Sequence, residues 1–335
     1  MRLILVAGST RTAAVDGISA AGATPELRWH TPSADAELVR YGRLVRAPLL
    51  PTSPTGCPTP ALVTRAVVEL LGLDVVVCDG GLAKPTGAPT VGFGAKPGRD
   101  VRDADPVSTA PGAFAAAERF GRSLDEDHLV VGETIPGGTT TALSTMRALG
   151  ESYPVSSSLP DNPLARKKEI AEAALSASDL DPGEAVHHPE LAVRFAGDPV
   201  LAVVSGLCVG ALDSGTRVTL AGGTQMVAAS ALVRHAGSVG PMELATTSYL
   251  ADHVDLAPAA RDLDLDLTVT DPEFADDRLA GYATVGREGA AMGGALALAD
   301  RADVLDAVEG RTLALLDSLD ASHGDSTVEE DDRGP

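Results

Sequence analysis

Compact apolar runs of strand length recur along the chain at residues 3–7, 73–78, 129–131 and 217–221. Glycines follow closely each time: Gly8; Gly80 and Gly81; Gly132, Gly137 and Gly138; Gly222 and Gly223. Helical patterning comes next. Residues 61–71 place Leu62, Val63, Ala66, Val67 and Leu70 on one face. Residues 113–122, 142–149, 163–177, 200–212, 226–236, 295–299 and 303–319 read as further helices. Ser33 is expected to open another, and Asp303 to cap the last. Residues 263–269 alternate apolar and polar, as a half-buried strand does. Strand, glycine loop and helix in repetition predict an α/β fold: a doubly wound, mostly parallel, Rossmann-like sheet with its loops at the carboxyl edge. Residues 1–320 are expected to form one such domain, the terminal helices adding a small helical lobe. Residues 321–335 are acidic and poor in apolar side chains, which predicts a disordered tail. Residues 48–60 carry Pro48, Pro51, Pro54, Pro58 and Pro60 and predict an extended loop, longer than a plain connection needs.

The stretch from Val131 to Leu143 has the layout of an anion cradle. An apolar strand runs into Gly132 and Glu133, then Pro136-Gly137-Gly138, then Thr139, Thr140, Thr141 and a helix. Glycines let backbone N–H groups approach an oxyanion, and a helix N-terminus adds partial positive charge. The competing reading is a tight turn with a threonine N-cap. Loops gathered at one sheet edge would bring Asp79, Glu133, Gly137, Gly223 and Glu288 to a single crevice. Gly286 and Gly289 would allow a ligand close to the backbone beside Glu288.

Charge narrows the range of partners. Among 335 residues there are 26 Lys+Arg against 47 Asp+Glu, a net charge of −21. The lysines are Lys84, Lys96, Lys167 and Lys168, and aromatics make up 3%. Such a surface suits molar salt, where the Debye length falls to about 3 Å. It predicts a halophilic cytoplasm and disfavours nucleic acid and anionic membranes as partners. No apolar window approaches the length of a membrane span, and residues 1–7 are too short for a secretion signal. Cys57, Cys78 and Cys208 have neither disulfide nor zinc spacing and read as buried small hydrophobes. His187-His188 and the acids Asp271, Glu273, Asp276 and Asp277 read as solvated surface, so no metal site is expected.

A dinucleotide fingerprint, a phosphate-binding P-loop and a nucleophile elbow are all absent. What remains is a set of stretches in fixed order: Gly8-Ser9-Thr10-Arg11-Thr12, residues 17–23, 58–65, 132–143 and 222–226, and Arg287-Glu288-Gly289. Together they resemble the archaeal branch of the nicotinate-nucleotide–dimethylbenzimidazole phosphoribosyltransferase family, which builds the lower ligand of cobalamin. That family's G-E-x-G-I-G-N-T-T loop, which binds the mononucleotide phosphate, resembles Gly132, Glu133, Gly137, Gly138, Thr139 and Thr140; Pro136 and a third threonine depart from it. Its D-G-F stretch aligns with Gly222-Gly223-Thr224, where the aspartate is lost. A lysine near the phosphate corresponds to Lys167 or Lys168. Its catalytic glutamate, in an L-G-E-G-T-G-A pattern, corresponds to Glu288, with Arg287 in place of a glycine. A guanidinium there is expected to lower the glutamate's pKa. The resemblance also implies a homodimer.

The chemistry implied is modest in its needs. The pyridine leaves nicotinate mononucleotide neutral at its nitrogen, so no acid, metal or cofactor is required. The attacking benzimidazole must shed a proton, and one positioned carboxylate takes it. Glu288 is the candidate base. Glu133 is a second carboxylate near the acceptor or the ribose. Asp79 is a weaker candidate that is equally explained as a turn cap. Residues 57–60 are expected to line the aromatic pocket. A non-catalytic binder of a phosphorylated nucleoside, or another pentosyltransferase or phosphorylase, would use the same cradle.

Overall fold

The computed structural model describes residues 1–326. Seven strands form one sheet, β1 (Arg2–Ala7), β2 (Val75–Asp79), β3 (Thr90–Gly92), β4 (His128–Thr134), β5 (Arg217–Ala221), β6 (Met242–Thr247) and β7 (Leu265–Thr270). Their order is β3-β2-β1-β4-β5-β6-β7, and every pairing is parallel. The direction of winding reverses between β1 and β4. In a sheet of this kind the crevice for a ligand opens at the carboxyl ends of those two strands. The expected doubly wound α/β fold is the one observed.

Alternation along the strands sorts side chains onto two faces. Leu3, Leu5 and Ala7 of β1 join one core with Val75, Val77, Val130 and Ala221. Helices α1 (Thr31–Tyr41) and α2 (Ala61–Leu71) cover it. Ile4 and Val6 join the other core with Leu129, Val131, Val218 and Leu220. Over that face lie α3 (Ala110–Arg122), α4 (Gly138–Ala148), α5 (Leu164–Ala177), α6 (Pro189–Ala196), α7 (Pro199–Asp213) and α8 (Thr224–His235). Two short helices, α9 (Ser248–Ala251) and α10 (Ala257–Asp262), flank β7. The chain then returns to the first face with α11 (Met292–Arg301) and α12 (Asp306–Ser326). The disordered tail expected from residue 321 is helix as far as Ser326; residues 327–335 lie outside the described residues.

Other departures have local causes. The glycine turn begins later than the pattern suggests: Gly132 and Glu133 are still in β4, and the three threonines sit in the first turn of α4. Ser33 does not cap α1 but lies within it, its hydroxyl donating to the Lys84 carbonyl at 2.6 Å. Strand β6 goes unannounced because a glutamate and two threonines break its apolar pattern. All six of its residues are nonetheless buried. Glu243 is accommodated there by hydroxyl donors from Thr219 and Thr268 and by Arg301.

Helices α3 and α7 approach so closely that their glycines are structural. A Cβ on Gly210 would lie 1.9 Å from the Glu118 carbonyl oxygen. Gly310, on α12, faces open space. Gly210→Ala should therefore lower unfolding free energy by about 1–3 kcal/mol, whereas Gly310→Ala should be neutral or stabilising by up to about 1 kcal/mol. Denaturant titration of the two variants against the parent chain checks the contrast.

Candidate active site

Beyond Thr134 the chain turns through Ile135, Pro136 and Gly137 into α4. Gly137 has φ +82°, and a Cβ there would lie 2.9 Å from the Ala13 backbone, so the turn needs glycine on both counts. Helix α4 opens with no side-chain cap. Among the described residues, the Gly137 and Thr139 amides have no protein acceptor. These are free donors at a helix N-terminus, the arrangement that favours an anion.

Lys167 comes to the same place from α5. It is fully buried, and its ammonium donates to Thr139 Oγ1 at 2.9 Å and to the Ser156 carbonyl at 2.6 Å. Burial pulls its pKa down to about 7. Lys168 is exposed instead, since the next residue along a helix faces a different side. Of the two lysines, Lys167 is the one that reaches the Thr139 turn, and neither lines the cavity described below. Ser156 is tied in turn to Thr224, its amide donating to Thr224 Oγ1 at 2.8 Å.

Glu288 projects from the turn before α11. Its Oε1 accepts from the Gly289 and Gly293 amides at 3.0 and 2.9 Å, and its Oε2 from Thr246 Oγ1 at 3.1 Å. Even with these donors, burial pushes its carboxyl up to about 7. Arg287 does not lower it. That side chain leaves in the other direction, donating to the carbonyls of Ser157, Leu159 and Pro160. The expectation from sequence adjacency is corrected by geometry.

Glu133, at the end of β4, is pushed up to about 8 by burial first and then by the charges of Asp198, Glu288 and Asp35. Glu133, Glu288, Gly137, Gly138, Thr139, Gly223 and Thr224 line one cavity of about 190 Å³. Cys57, Pro58, Thr59 and Pro60 line it too, as expected of residues 57–60.

Other sequence candidates stand outside the cavity lining. Gly132 is a spacer within β4: a Cβ there would lie 2.4 Å from the Ala291 Cβ, so glycine lets the turn before α11 reach the strand. Thr140 is fully buried in α4, and its hydroxyl has no partner among the described residues. Gly222 continues the β5 end, its amide donating to the Ala245 carbonyl at 3.0 Å. Asp79 caps the turn after β2, accepting from the Gly81 and Leu82 amides at 2.8 and 2.9 Å.

Sequence reasoning missed several groups. Asp35 of α1 lines the cavity and accepts from Thr59 Oγ1 at 2.7 Å and Thr134 Oγ1 at 2.6 Å; burial lifts its carboxyl to about 6. Ser156, Ser157, Ser158 and Gln225 line the cavity as well. Asp198 lies behind the cradle, holding Thr141 Oγ1 at 2.5 Å and Gln225 Nε2 at 2.8 Å. A polar loop and a helix-start aspartate look alike whether or not they face a pocket, so nothing local marked them. The assembled site offers anion donors at one end and carboxyls that titrate near neutrality at the other.

The raised carboxyls make a prediction about stability. Glu133 and Glu288 have ordinary pKa values of 4.5, and the fold raises them to about 8 and about 7. Between these limits the folded chain holds protons that the unfolded chain has released, so their contribution to stability falls as pH rises through that window. Glu133→Gln removes that cost. Its denaturation midpoint should exceed the parent's at about pH 9 and approach it at about pH 5; equal midpoints at the higher pH would contradict the raised pKa.

No protein-family model matches the sequence. The chain is 55% identical over 323 residues to a UPF0284 protein of Halobacterium salinarum, spanning 94% of this chain and 97% of that one. A UPF0284 protein of Methanosarcina mazei is 38% identical over 311 residues, 88% of each chain. Among solved structures, the nicotinate-nucleotide-dimethylbenzimidazole phosphoribosyltransferase of Thermus thermophilus superposes with a TM-score of 0.58 over 94% of this chain and 82% of that one, at 16% identity. That likeness is one of fold, and it matches the doubly wound sheet described above. Identity over nearly the whole length of both partners decides the relationship: the chain belongs to the UPF0284 family.

Proposed function

We propose that this protein transfers the 5-phosphoribosyl group of nicotinate mononucleotide to a benzimidazole base, as in assembly of the lower ligand of cobalamin. The observation that carries the reading is the meeting of Glu288 with the Gly137–Thr139 turn in one cavity. The phosphate is taken to sit on the Gly137 and Thr139 amides with Lys167 beside it. The bond from the ribose carbon to the pyridinium nitrogen breaks, and the electron pair leaves with neutral nicotinate nitrogen. One ring nitrogen of the acceptor forms the new bond. Its other nitrogen loses a proton to Glu288.

Glu288 suits that task because a base with pKa about 7 is about half ionised at neutral pH and is still strong enough to accept. Glu133, with its pKa about 8, is protonated at neutrality and is assigned to donate a hydrogen bond to the ribose or the acceptor. Cys57, Pro58, Pro60 and Val285 supply an apolar wall against which a flat acceptor can lie. The rest of the rate comes from positioning one reactant against the other. We assign the protein to a halophilic cytoplasm, as a homodimer, on its charge of −21 and on the family resemblance.

Purified protein incubated with nicotinate mononucleotide and dimethylbenzimidazole in molar potassium chloride should form the benzimidazole ribotide. The rate should rise with pH through about 7 as Glu288 loses its proton. Glu288→Gln should lower kcat by about 10²- to 10⁴-fold while leaving mononucleotide binding intact. Tight binding without turnover of any azole would favour a phospho-nucleoside sensor. Turnover with inorganic phosphate in place of a base would favour a phosphorylase.

A further inference from the structure

Residues 155–163 have no regular secondary structure, so their carbonyls must find donors elsewhere. Basic side chains supply donors to four of the nine. Lys167 takes the Ser156 carbonyl at 2.6 Å. Arg287 Nη1 takes those of Ser157 at 2.8 Å and Leu159 at 3.2 Å, and its Nη2 that of Pro160 at 3.4 Å. Arg287 is 3% exposed, and its Nε has no partner among the described residues. Among them, neither cation has a carboxylate partner. Arg287 lines the cavity, and Lys167 reaches it only through Thr139.

The segment these cations hold is a wall of the cavity, through Ser156, Ser157 and Ser158. At one end Lys167 ties it to Thr139 of the cradle. At the other, Arg287 ties it to the turn that carries Glu288, and that turn is itself fixed by Thr247 Oγ1 donating to the Arg287 carbonyl at 2.5 Å. We propose that Arg287 is a positioning residue: it clamps the 156–160 wall onto the turn bearing the base, so that the phosphate site and the base are held at one separation. This rests on the phosphoribosyl-transfer reading for its kinetic consequence.

The clamp is separable from base strength. The Glu288 carboxylate is held by Gly289, Gly293 and Thr246, not by Arg287. Arg287→Met keeps the apolar stem and loses the fork. The kcat/KM for nicotinate mononucleotide should fall about 10- to 100-fold, as expected when a reactant is misplaced by about 1 Å. The pH midpoint of kcat should not move. Arg287→Lys has no planar fork and should recover only part of the loss. Amide hydrogen exchange of residues 156–161 should quicken in Arg287→Met, while the sheet strands keep their protection. Unchanged exchange with an unchanged kcat/KM would overturn the proposal. So would a shifted pH midpoint, which would place Arg287 on Glu288 instead. Should the parent chain turn over no base at all, the transfer reading fails. Calorimetric binding of the mononucleotide, weakened or not in Arg287→Met, then decides the clamp by itself.

Discussion

A single backbone hydrogen bond, from the Ala290 amide to the Glu133 carbonyl at 2.8 Å, joins the end of β4 to the turn before α11. Residues more than 150 positions apart meet there, and two of the site's acidic side chains, Glu133 and Glu288, hang from the two peptides involved or their neighbours. Gly132 makes the approach sterically feasible. A side chain on that central strand would collide with Ala291. The parallel sheet supplies the rest of the alignment, because its switch point delivers β1 and β4 to the same edge. Without this contact the carboxyls would be two more surface acids on an acid-rich chain.

Bringing them together has an electrostatic consequence. Glu133 feels Asp198, Glu288 and Asp35, and among the described residues no cation stands among the groups that shift it. Donors do the offsetting where they are dense. Asp198 accepts from Thr141, Gln225, and the Val200 and Leu201 amides, which favours its charged form against burial. Glu133 has far less support and rises to about 8. Burial raises all of these carboxyls, Asp198 included, and the donors only oppose the rise. Glu288 at about 7 and Glu133 at about 8 line one cavity, and carboxyls that titrate near neutrality are what acid–base chemistry at that pH needs.

Much of the fold was legible. Buried parallel strands are continuous apolar runs, and a glycine after each is visible in letters alone, so β1, β2, β4 and β5 could be read with their following turns. Strand β6 could not, since Glu243, Thr246 and Thr247 hide a buried strand behind polar letters. In the site, glycine context singled out Glu133, Glu288 and the Gly137 turn. Asp35 and the serines at 156–158 were invisible because their roles depend on where a loop lands, not on what surrounds them in sequence. Asp79 shows the converse error: an acid at a strand end is as well placed to cap a turn as to meet a ligand. Arg287 misled in a third way. Neighbours along a turn project in different directions, so adjacency to Glu288 implied a charge interaction that three-dimensional placement removes.

The same distinction between surface and interior bears on the charge of the whole chain. A net charge of −21 is a property of exposed side chains, many in ion pairs such as Arg102 with Asp100 and Arg278 with Asp317. These pairs, at 2.6 and 2.9 Å, are exposed and contribute little, and less still at molar salt, where the Debye length is about 3 Å. Asp35, Glu133 and Glu288 are recessed in the cavity, so their mutual interactions are screened less than those of exposed pairs. Salt therefore quiets the surface more than it resets the titration of the site.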